Sequence, residues 1–397
     1  MKDLGEKVVI LSAVRTPIGK YGGAFKETSA VALGVAASVE AMKRAGVAPG
    51  QIDEVIFGMG RQAGNRPNPA RQVLYGSGIP MERPAFTVNK ACASGMKAIA
   101  LGCQSLLLGE NKIVLAGGTE NMSQVPYLLD GARWGYRLGD GVLVDAMYRD
   151  GLFCPLAEMI MGETADILAE KFGIGRREQD EFALESQLKA KRAAEKGKFK
   201  EEIVPVAVKD KRGRENLIAD DEHPRPETTL ESLAKLPPVF RKGGSITAGN
   251  SSGLTDGAAA LVLTTRSEAQ RLGVKPLAEI LGFTSAGVDP KEMGLGPVPA
   301  TQKILKSLDL SLADFDLIEI NEAFAAQVLA CERELKWDPA KRNIKGGAIA
   351  LGHPIGCTGA RITVTLLHSL IQENKELGLA TLCVSGGQGM SLALKRS

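Results

Sequence analysis

The sequence predicts an α/β fold built from two similar halves, and two observations lead to that prediction. The 397-residue chain is 44% hydrophobic but only 5% aromatic, so its core must consist largely of small and aliphatic side chains in tight layers. Helix-like and strand-like stretches also recur in the same order in both halves. Strands that alternate with helices predict mostly parallel sheets with helices packed on them.

The repeat has a nearly constant offset. Asp53 precedes the strand-like stretch VIFG, and Asp316 precedes LIEI, 263 positions later. The stretch SGMKAI from Ser94 is matched by TGARI from Thr358, 264 positions later. A helical stretch and a strand that ends in glycines follow each of them. We interpret this order as an internal duplication.

Between the halves the pattern changes. The segment contains a charged helical run, REQDEFALESQLKAKRAAEKGKF, and the turn-rich stretch DEHPRPETTLESLAKLPP. We expect an inserted loop subdomain over 124–249, an N-terminal half over 1–123 plus 250–275, and a C-terminal half over 276–397. The charged helix is expected to face solvent, and an insertion of this size often shapes a substrate pocket.

Composition limits the classes of partner. Lysines and arginines number 49 and acidic residues 46, a balance that gives no reason to expect nucleic acid as a partner. No apolar run approaches the roughly 20 residues of a membrane span, and the first residues lack a signal-peptide core, so a cytoplasmic location is expected. The six cysteines lack paired zinc-type spacing. Any special cysteine is therefore expected to be catalytic.

Cys92 is the first candidate. In TVNKACASGMKAIALG it lies between a strand-like stretch and a helix whose apolar residues recur three and four positions apart. Unpaired N–H groups and the dipole at a helix start favour an anion, which predicts a lowered thiol pKa. The alternative is a small buried residue that fills a strand-to-helix junction.

The second half supplies possible partners. His353 lies in GGAIALGHPIGCTGAR, where glycines permit close backbone approach. Cys383 ends an apolar strand, and the turn that begins at Ser385 presents N–H groups suited to a developing oxyanion. Asn321 also follows a strand. Because ligands of open α/β sheets bind beyond the carboxyl ends of strands, we expect these groups in one site.

The two remaining histidines lie in stretches of a different kind. His368 lies on an apolar helical stretch and is expected in the core or on a helix surface, and His223 is expected in an exposed loop. His353 and Cys357 have a usable metal-ligand spacing, but the proline and glycines around them oppose a regular helix. No metal is expected.

The chain resembles the thiolase family, which includes acetyl-CoA acetyltransferases and 3-ketoacyl-CoA thiolases. The motifs span nearly the whole chain in family order: RTPIG, NKACASG, GGTENMSQVPY, HPRPETT, ITAGNSSGLTDGAAA, NEAF, GGAIALGHPIGCTGAR and CVSGGQG. The resemblance implies a thiolase-like duplicated α-β-α-β-α layered fold with an inserted loop subdomain. It also implies an acyltransferase of fatty acid metabolism that reversibly condenses two acetyl-CoA to acetoacetyl-CoA and CoA.

The resemblance implies a role for each candidate. Cys92 would carry the acyl group, His353 would activate it and donate to an oxyanion, and Cys383 would act as acid and base. Asn321 would hold a water in one oxyanion hole, and the backbone of Ser385 would contribute to another.

For coenzyme A, the resemblance implies four contacts, Arg225, Phe240, Ser252 and Met161, the last near the thioester. CoA would be substrate and product, with no tightly bound cofactor. The family also implies a homo-oligomer, a tetramer or a dimer.

Three residues depart from the family pattern. Ser385 replaces a usual glycine, Lys345 replaces an asparagine, and Ile160 stands where many short-chain members have histidine. The last change leaves open a degradative 3-ketoacyl-CoA thiolase of broader chain length. A non-catalytic acyl-CoA or lipid carrier and a ketoacyl-synthase-type enzyme are further alternatives, although the latter would use two histidines. Cys92 and Cys383 are also candidates for a regulatory disulfide.

Overall fold

The computed structural model describes residues 6–209 and 212–397. The α-helices in these parts of the chain are α1 (Ala30–Ala45), α2 (Pro69–Gly76), α3 (Ser94–Leu107), α4 (Met161–Phe172), α5 (Arg176–Glu195), α6 (Leu230–Ala234), α7 (Arg266–Leu272), α8 (Pro297–Leu308), α9 (Ala325–Leu335), α10 (Ala348–Leu351) and α11 (Ile355–Gln372). Of these helices, none has the length and apolar character that crossing a membrane requires.

The strands are β1 (Val8–Arg15), β2 (Gly19–Lys20), β3 (Glu54–Gly58), β4 (Ala85–Val88), β5 (Ile113–Asn121), β6 (Tyr127–Leu129), β7 (Leu143–Asp145), β8 (Phe153–Cys154), β9 (Met159–Ile160), β10 (Val206–Lys209), β11 (Glu215–Ile218), β12 (Thr255–Thr265), β13 (Ala278–Gly287), β14 (Leu317–Ile320), β15 (Leu377–Val384) and β16 (Gln388–Arg396).

One mixed sheet joins the two halves. Its strand order is β14-β15-β16-β13-β1-β12-β5-β3-β4, with β2 paired to β12. The pairs β3–β4, β3–β5 and β14–β15 are parallel, and the other pairs of this sheet are antiparallel. The prediction of mostly parallel sheets is therefore wrong. A turn of only three residues joins β15 to β16, and so short a connection can join only antiparallel neighbours.

Helices and sheet form the predicted layers. Helices α1 and α2 cover one outer face, where Leu33 and Val73 pack in a core with Phe57. Helices α8 and α9 cover the other, where Ile304 and Val328 are buried. Between them, α3 and α11 pack against each other and against strands of both halves. The α-β-α-β-α arrangement is confirmed.

Equivalent aspartates hold equivalent strands in the two halves. Asp53 Oδ2 accepts hydrogen bonds from the backbone N–H groups of Lys112 and Ile113, at 2.9 and 3.0 Å. Asp316 Oδ2 accepts in the same way from residues 376–377, both at 3.0 Å. The repeat inferred from the sequence is thus a repeat of structure.

Helices α3 and α11 cross in backbone contact at two glycines that the repeat makes equivalent. A Cβ atom on Gly95 would lie 2.8 Å from the nitrogen of Ala360, and one on Gly359 would lie 2.5 Å from the nitrogen of Met96. Any side chain at either position would push the helices apart. Their close approach brings the start of both helices, and the loops before them, to one place.

The segment between β5 and β12 lies outside the main sheet. It contains α4 to α6 and three small two-stranded sheets, β6–β7, β8–β9 and β10–β11. The charged helix α5 exposes one face, as expected, and buries Phe182 on the other. Buried Arg15 at the end of β1 ties this segment to the core, because its guanidinium lies 2.7 Å from both Glu202 and Asp221.

We expect Gly359→Ala to lower the free energy of unfolding by about 1–3 kcal/mol, because the new methyl group must displace the backbone of α3. Urea denaturation monitored by circular dichroism measures this change. Gly50→Ala is the matched control, since a Cβ there meets nothing within 4 Å. Equal stability of the two variants would contradict the crossing constraint.

Candidate active site

Cys92 lies in a tight turn between β4 and α3. The residue before it, Ala91, has a φ of 44°, a left-handed conformation that is uncommon for a residue with a side chain. Ser94 braces the turn, because its hydroxyl donates to Ala91 O at 2.6 Å and accepts from Lys90 N–H at 2.9 Å. The first helical residue therefore holds the turn that presents the thiol.

The turn opens into a cavity of about 360 Å³ beside the inserted segment. Its lining brings together eight of the nine predicted site residues: Cys92, His353, Cys383, Ser385, Arg225, Phe240, Ser252 and Met161. The ninth, Asn321, is fully buried just after β14, and its amide oxygen and nitrogen have no partner among the described residues. A larger cavity of about 570 Å³ lies against α5 and contains none of the nine.

His353 is oriented by a hydroxyl one turn away. Its Nδ1 lies 2.6 Å from Thr358 Oγ1, and that hydroxyl donates its only proton to Pro354 O at 3.0 Å. Nδ1 must therefore carry the proton that Oγ1 accepts, which leaves Nε2 without one. Burial, together with the charges of Arg361 and Arg61, lowers the pKa of His353 to about 3. The imidazole is neutral and able to accept a proton.

The prediction of a lowered thiol pKa at Cys92 is wrong for the free protein. Burial raises the pKa of the Cys92 thiol, although the charge of Arg61 and the backbone N–H groups of Ser385 and Cys92 itself act in the opposite direction. Desolvation outweighs them because the sulfur lies in a cavity with a largely apolar lining. Cys92 is thus a thiol that needs a base.

Cys383 lies near the end of β15, before the turn that begins at Ser385. Gly386 and Gly387 take the left-handed torsions of that turn, with φ of 84° and 82°, whereas Ser385 does not. The serine that departs from the family pattern therefore sits where any residue is tolerated, and its backbone donor is retained. Burial, and the nearby Cys92, raise the pKa of Cys383 well above its ordinary value.

The inserted segment forms the opposite wall. The Phe240 ring packs on Gly162, where a Cβ would lie 2.2 Å from it, and meets the Phe324 ring edge-on at 5.9 Å between centroids. The backbone N–H of Arg225 donates to Gln187 Oε1 at 2.9 Å, which anchors this residue on α5.

The other two departures from the family pattern lie in different places. Ile160 lines the cavity, where it adds an apolar surface. Lys345 is buried and not part of the lining, and its Nζ lies 3.2 Å from Lys198 O and 3.4 Å from Glu202 Oε2. Lys345 therefore joins the loop before His353 to the inserted segment.

The interpretation of His223 as an exposed loop residue is wrong. It is half-buried and lines the cavity, because its Nδ1 bonds to Ala350 O at 2.8 Å. The contact with Ala350 could not be predicted, because a single histidine in a turn-rich stretch follows no pattern that indicates a distant partner. His368 is buried, as expected, with Nε2 2.9 Å from Ala13 O.

The structure places two further charged residues at the site, and the sequence patterns do not single them out. Buried Glu120 accepts hydrogen bonds from the backbone of Gly60, Arg61 and Gly356, at 2.9, 3.0 and 2.8 Å, and so joins the loop after β3 to the start of α11. A glutamate inside an otherwise uncharged strand was the available signal. Arg61 lines the cavity itself. The position of Arg61 in a loop does not predict that its side chain lines the cavity.

Within residues 6–209 and 212–397, no group of three or more histidine, cysteine or acidic side chains is arranged to hold a metal ion. The pair with metal-type spacing is engaged otherwise, because His353 Nδ1 bonds to Thr358 and burial raises the pKa of Cys357 to about 12.

Two family models match nearly the whole chain. The thiolase N-terminal domain matches residues 8–267, and the thiolase C-terminal domain matches residues 274–396. This chain belongs to the thiolase family.

Full-length relatives agree with that assignment. An acetyl-CoA acetyltransferase from Pseudomonas aeruginosa is 50% identical to this thiolase over 391 residues, which cover 98% of this chain and 100% of that protein. The crystal structure of the Bacillus anthracis acetyl-CoA acetyltransferase superposes with a TM-score of 0.97 at 48% identity and covers 99% of each chain. Human mitochondrial 3-ketoacyl-CoA thiolase in complex with CoA superposes with a TM-score of 0.95 at 43% identity, again over 99% of each.

We expect the rate of Cys92 alkylation by iodoacetamide to rise steadily with pH through the ordinary thiol range near pH 8.5. A raised thiol pKa lowers the thiolate fraction at neutral pH, and a neutral His353 cannot pair with a thiolate there. Mass spectrometry of the Cys92 peptide measures the rate. The chain unfolded in urea is the control, and it should alkylate faster at pH 7. A plateau of high reactivity below pH 7 in the folded thiolase would refute the expectation.

Proposed function

We propose that this thiolase reversibly condenses two acetyl-CoA to acetoacetyl-CoA and CoA through an acyl-Cys92 intermediate. The supporting observation is the cavity that brings two cysteines, a neutral imidazole and a turn of backbone donors together. The acetyltransferase relatives named above support the choice of acetyl-CoA. Coenzyme A enters and leaves as a substrate, and no step requires a resident cofactor.

In the first half-reaction Cys92 attacks the thioester carbon of acetyl-CoA. Because burial keeps Cys92 protonated, its proton passes to Nε2 of His353 as the new carbon–sulfur bond forms. The bond to the CoA sulfur then breaks, and that sulfur takes the proton of Cys383. The products are acetyl-Cys92, free CoA, an imidazolium and a Cys383 thiolate.

In the second half-reaction the Cys383 thiolate removes a proton from the methyl carbon of a second acetyl-CoA. The raised pKa of Cys383 makes this thiolate a strong base. The enolate carbon attacks the carbonyl of acetyl-Cys92, and the Cys92 sulfur leaves. It recovers its proton from His353, so that both cysteines end as thiols.

Two groups of donors stabilise the oxygens that become negative. The backbone N–H groups of Cys92 and Ser385 both bond toward the Cys92 sulfur, which suits them to an oxyanion on the carbon attached there. The N–H of His353 and a water held by Asn321 serve the enolate oxygen. The buried amide of Asn321, which has no partner among the described side chains and backbone groups, has the free capacity for that water.

The inserted segment binds coenzyme A in this proposal. Arg225 supplies a cation for its phosphates, Phe240 and Ser252 contact its adenine and pantetheine parts, and Met161 lies beside the thioester. A second candidate, a degradative 3-ketoacyl-CoA thiolase of broader chain length, is favoured by one observation. Ile160 adds apolar surface to the cavity where many short-chain members carry histidine.

We expect Cys92→Ser to reduce thiolysis of acetoacetyl-CoA by about a thousandfold or more, because the nucleophile is lost. Cys383→Ala should still accept one acetyl group on Cys92 from acetyl-CoA, visible by mass spectrometry, but should not condense it. Cys103→Ala, a buried change outside the cavity, is the matched control and should retain activity.

A chain-length series of 3-ketoacyl-CoA substrates separates the candidates. Preference for acetoacetyl-CoA supports the acetyltransferase, and equal or higher rates on longer chains support the broader thiolase. Binding of CoA without turnover or acetylation would overturn both in favour of a carrier.

We also propose that the thiolase is a homo-oligomer that uses the hairpin formed by β6 and β7. This hairpin exposes a run of large apolar side chains: Tyr127, Trp134, Leu138, Val142 and Leu143. Trp134 is 88% exposed and Leu138 99% exposed in the single chain. An apolar surface of this kind is typical of a protein–protein contact.

We expect Leu138→Asp to shift the thiolase to a smaller species, since a carboxylate at the hairpin would be desolvated in the contact. Sedimentation velocity measures the mass. Leu108→Asp, 73% exposed just after α3 and outside this hairpin, is the control and should not change the mass. An unchanged mass in Leu138→Asp would place the contact elsewhere.

A further inference from the structure

Arg61 is a cation in the wall of the cavity that the proposed reaction does not use. It lies in the loop after β3 and is 8% exposed. A buried guanidinium is costly unless an anion meets it, so its presence beside Cys92 calls for a ligand.

Hydrogen bonds hold both the side chain and the backbone of Arg61 in place. Its Nη2 donates to Gly151 O at 2.6 Å, its Nη1 approaches Gly60 O at 3.4 Å, and its backbone N–H donates to Glu120. Gly151 has no side chain where a Cβ would lie only 2.8 Å from Arg61 Nε. The guanidinium is therefore fixed by backbone contacts alone.

Among the residues that the structure describes, no carboxylate forms a salt bridge or a side-chain hydrogen bond with the Arg61 guanidinium. Its side chain bonds only to carbonyl oxygens, and Nε has no partner in the part of the chain that the structure describes. Two acidic groups interact with the charge of Arg61 through space, and each makes its hydrogen bonds to other groups. Glu120 accepts three backbone N–H groups, and Asp150 pairs with Arg149 at 2.8 Å. Each Nη nitrogen carries two N–H donors and uses one of them for a carbonyl, so one donor on each remains for an anion.

Arg61 lies at the acyl end of the cavity. Its charge acts on Cys92 and His353, the two groups at the reacting carbon. Apolar Met122, Leu152 and Ile355 share that region of the lining. An acyl chain attached to Cys92 therefore has an apolar surface to follow and a fixed cation beside it.

We propose that Arg61 is the recognition site for a carboxylate at the far end of the acyl chain, so that this thiolase prefers 3-ketoacyl-CoA substrates derived from dicarboxylic acids. A planar guanidinium binds such a carboxylate through two parallel hydrogen bonds. The inference rests on the proposed thiolysis and adds a substrate class to it. Acyl groups that end in a methyl group leave the cation unpaired.

The test compares thiolysis of pairs of 3-ketoacyl-CoA substrates of equal chain length, one ending in a carboxylate and one in a methyl group. Acetoacetyl-CoA, whose acyl chain carries no carboxylate, is measured beside them. We expect kcat/KM to favour the carboxylate member by about tenfold or more at the chain length that reaches Arg61.

Substitution of Arg61 assigns the preference. Arg61→Met should remove the preference, so that kcat/KM for the carboxylate member falls by about tenfold more than kcat/KM for acetoacetyl-CoA. Arg61→Lys should restore part of it, because lysine keeps the charge but loses the paired donors. Arg225→Met is the contrast, since loss of a CoA contact should slow all substrates alike. Cleavage of acetoacetyl-CoA also shows that Arg61→Met is folded.

The outcomes separate this inference from the proposed function. Equal rates within each pair, or a carboxylate preference that survives in Arg61→Met, would overturn the inference while acetoacetyl-CoA cleavage upheld the function. A uniform loss on every substrate in Arg61→Met would also overturn it, because Arg61 would then serve only Cys92. Absence of any cleavage and of Cys92 acetylation would instead refute the proposed function itself.

Discussion

The backbone contact between α3 and α11 is the constraint on which the site depends. The two helices start from equivalent places in the repeat, and each carries a reactive residue in the loop before it. Because Gly95 and Gly359 let the helices touch near their N-terminal ends, Cys92 and His353 open into one cavity rather than two. Each half alone would present an incomplete set of groups.

Desolvation governs the chemistry in that cavity. It raises the pKa of both cysteines and lowers that of His353, so the resting groups are all neutral. A neutral site does not need to hold a separated ion pair before substrate arrives. The Thr358 hydroxyl then matters more than the helix dipole, because it decides which imidazole nitrogen is free to take a proton.

Much of the fold and of the site could be predicted from the sequence, because these features rest on a repeat and on local residue patterns. A repeat is visible in the amino-acid sequence, and it places Asp53 opposite Asp316 and Gly95 opposite Gly359. The duplicated layers could therefore be predicted. Cys92, His353, Cys383 and Asn321 lie at strand ends or just before helices, which is a local signal. The direction of strand pairing, the half-buried position of His223 and the ionisation of Cys92 depend on contacts between distant segments. Sequence order does not record those contacts.

The strand β15 carries both Cys383 and the turn that supplies the Ser385 donor, with only Val384 between them. The proposed base and the proposed oxyanion donor are therefore held close together by one strand and its turn. A disturbance of the Gly386–Gly387 turn would tilt both together, so substitutions there should not isolate acylation from condensation. Combined changes at Cys383 and in this turn would produce less than the product of their separate effects, as expected for parts that fail as one unit.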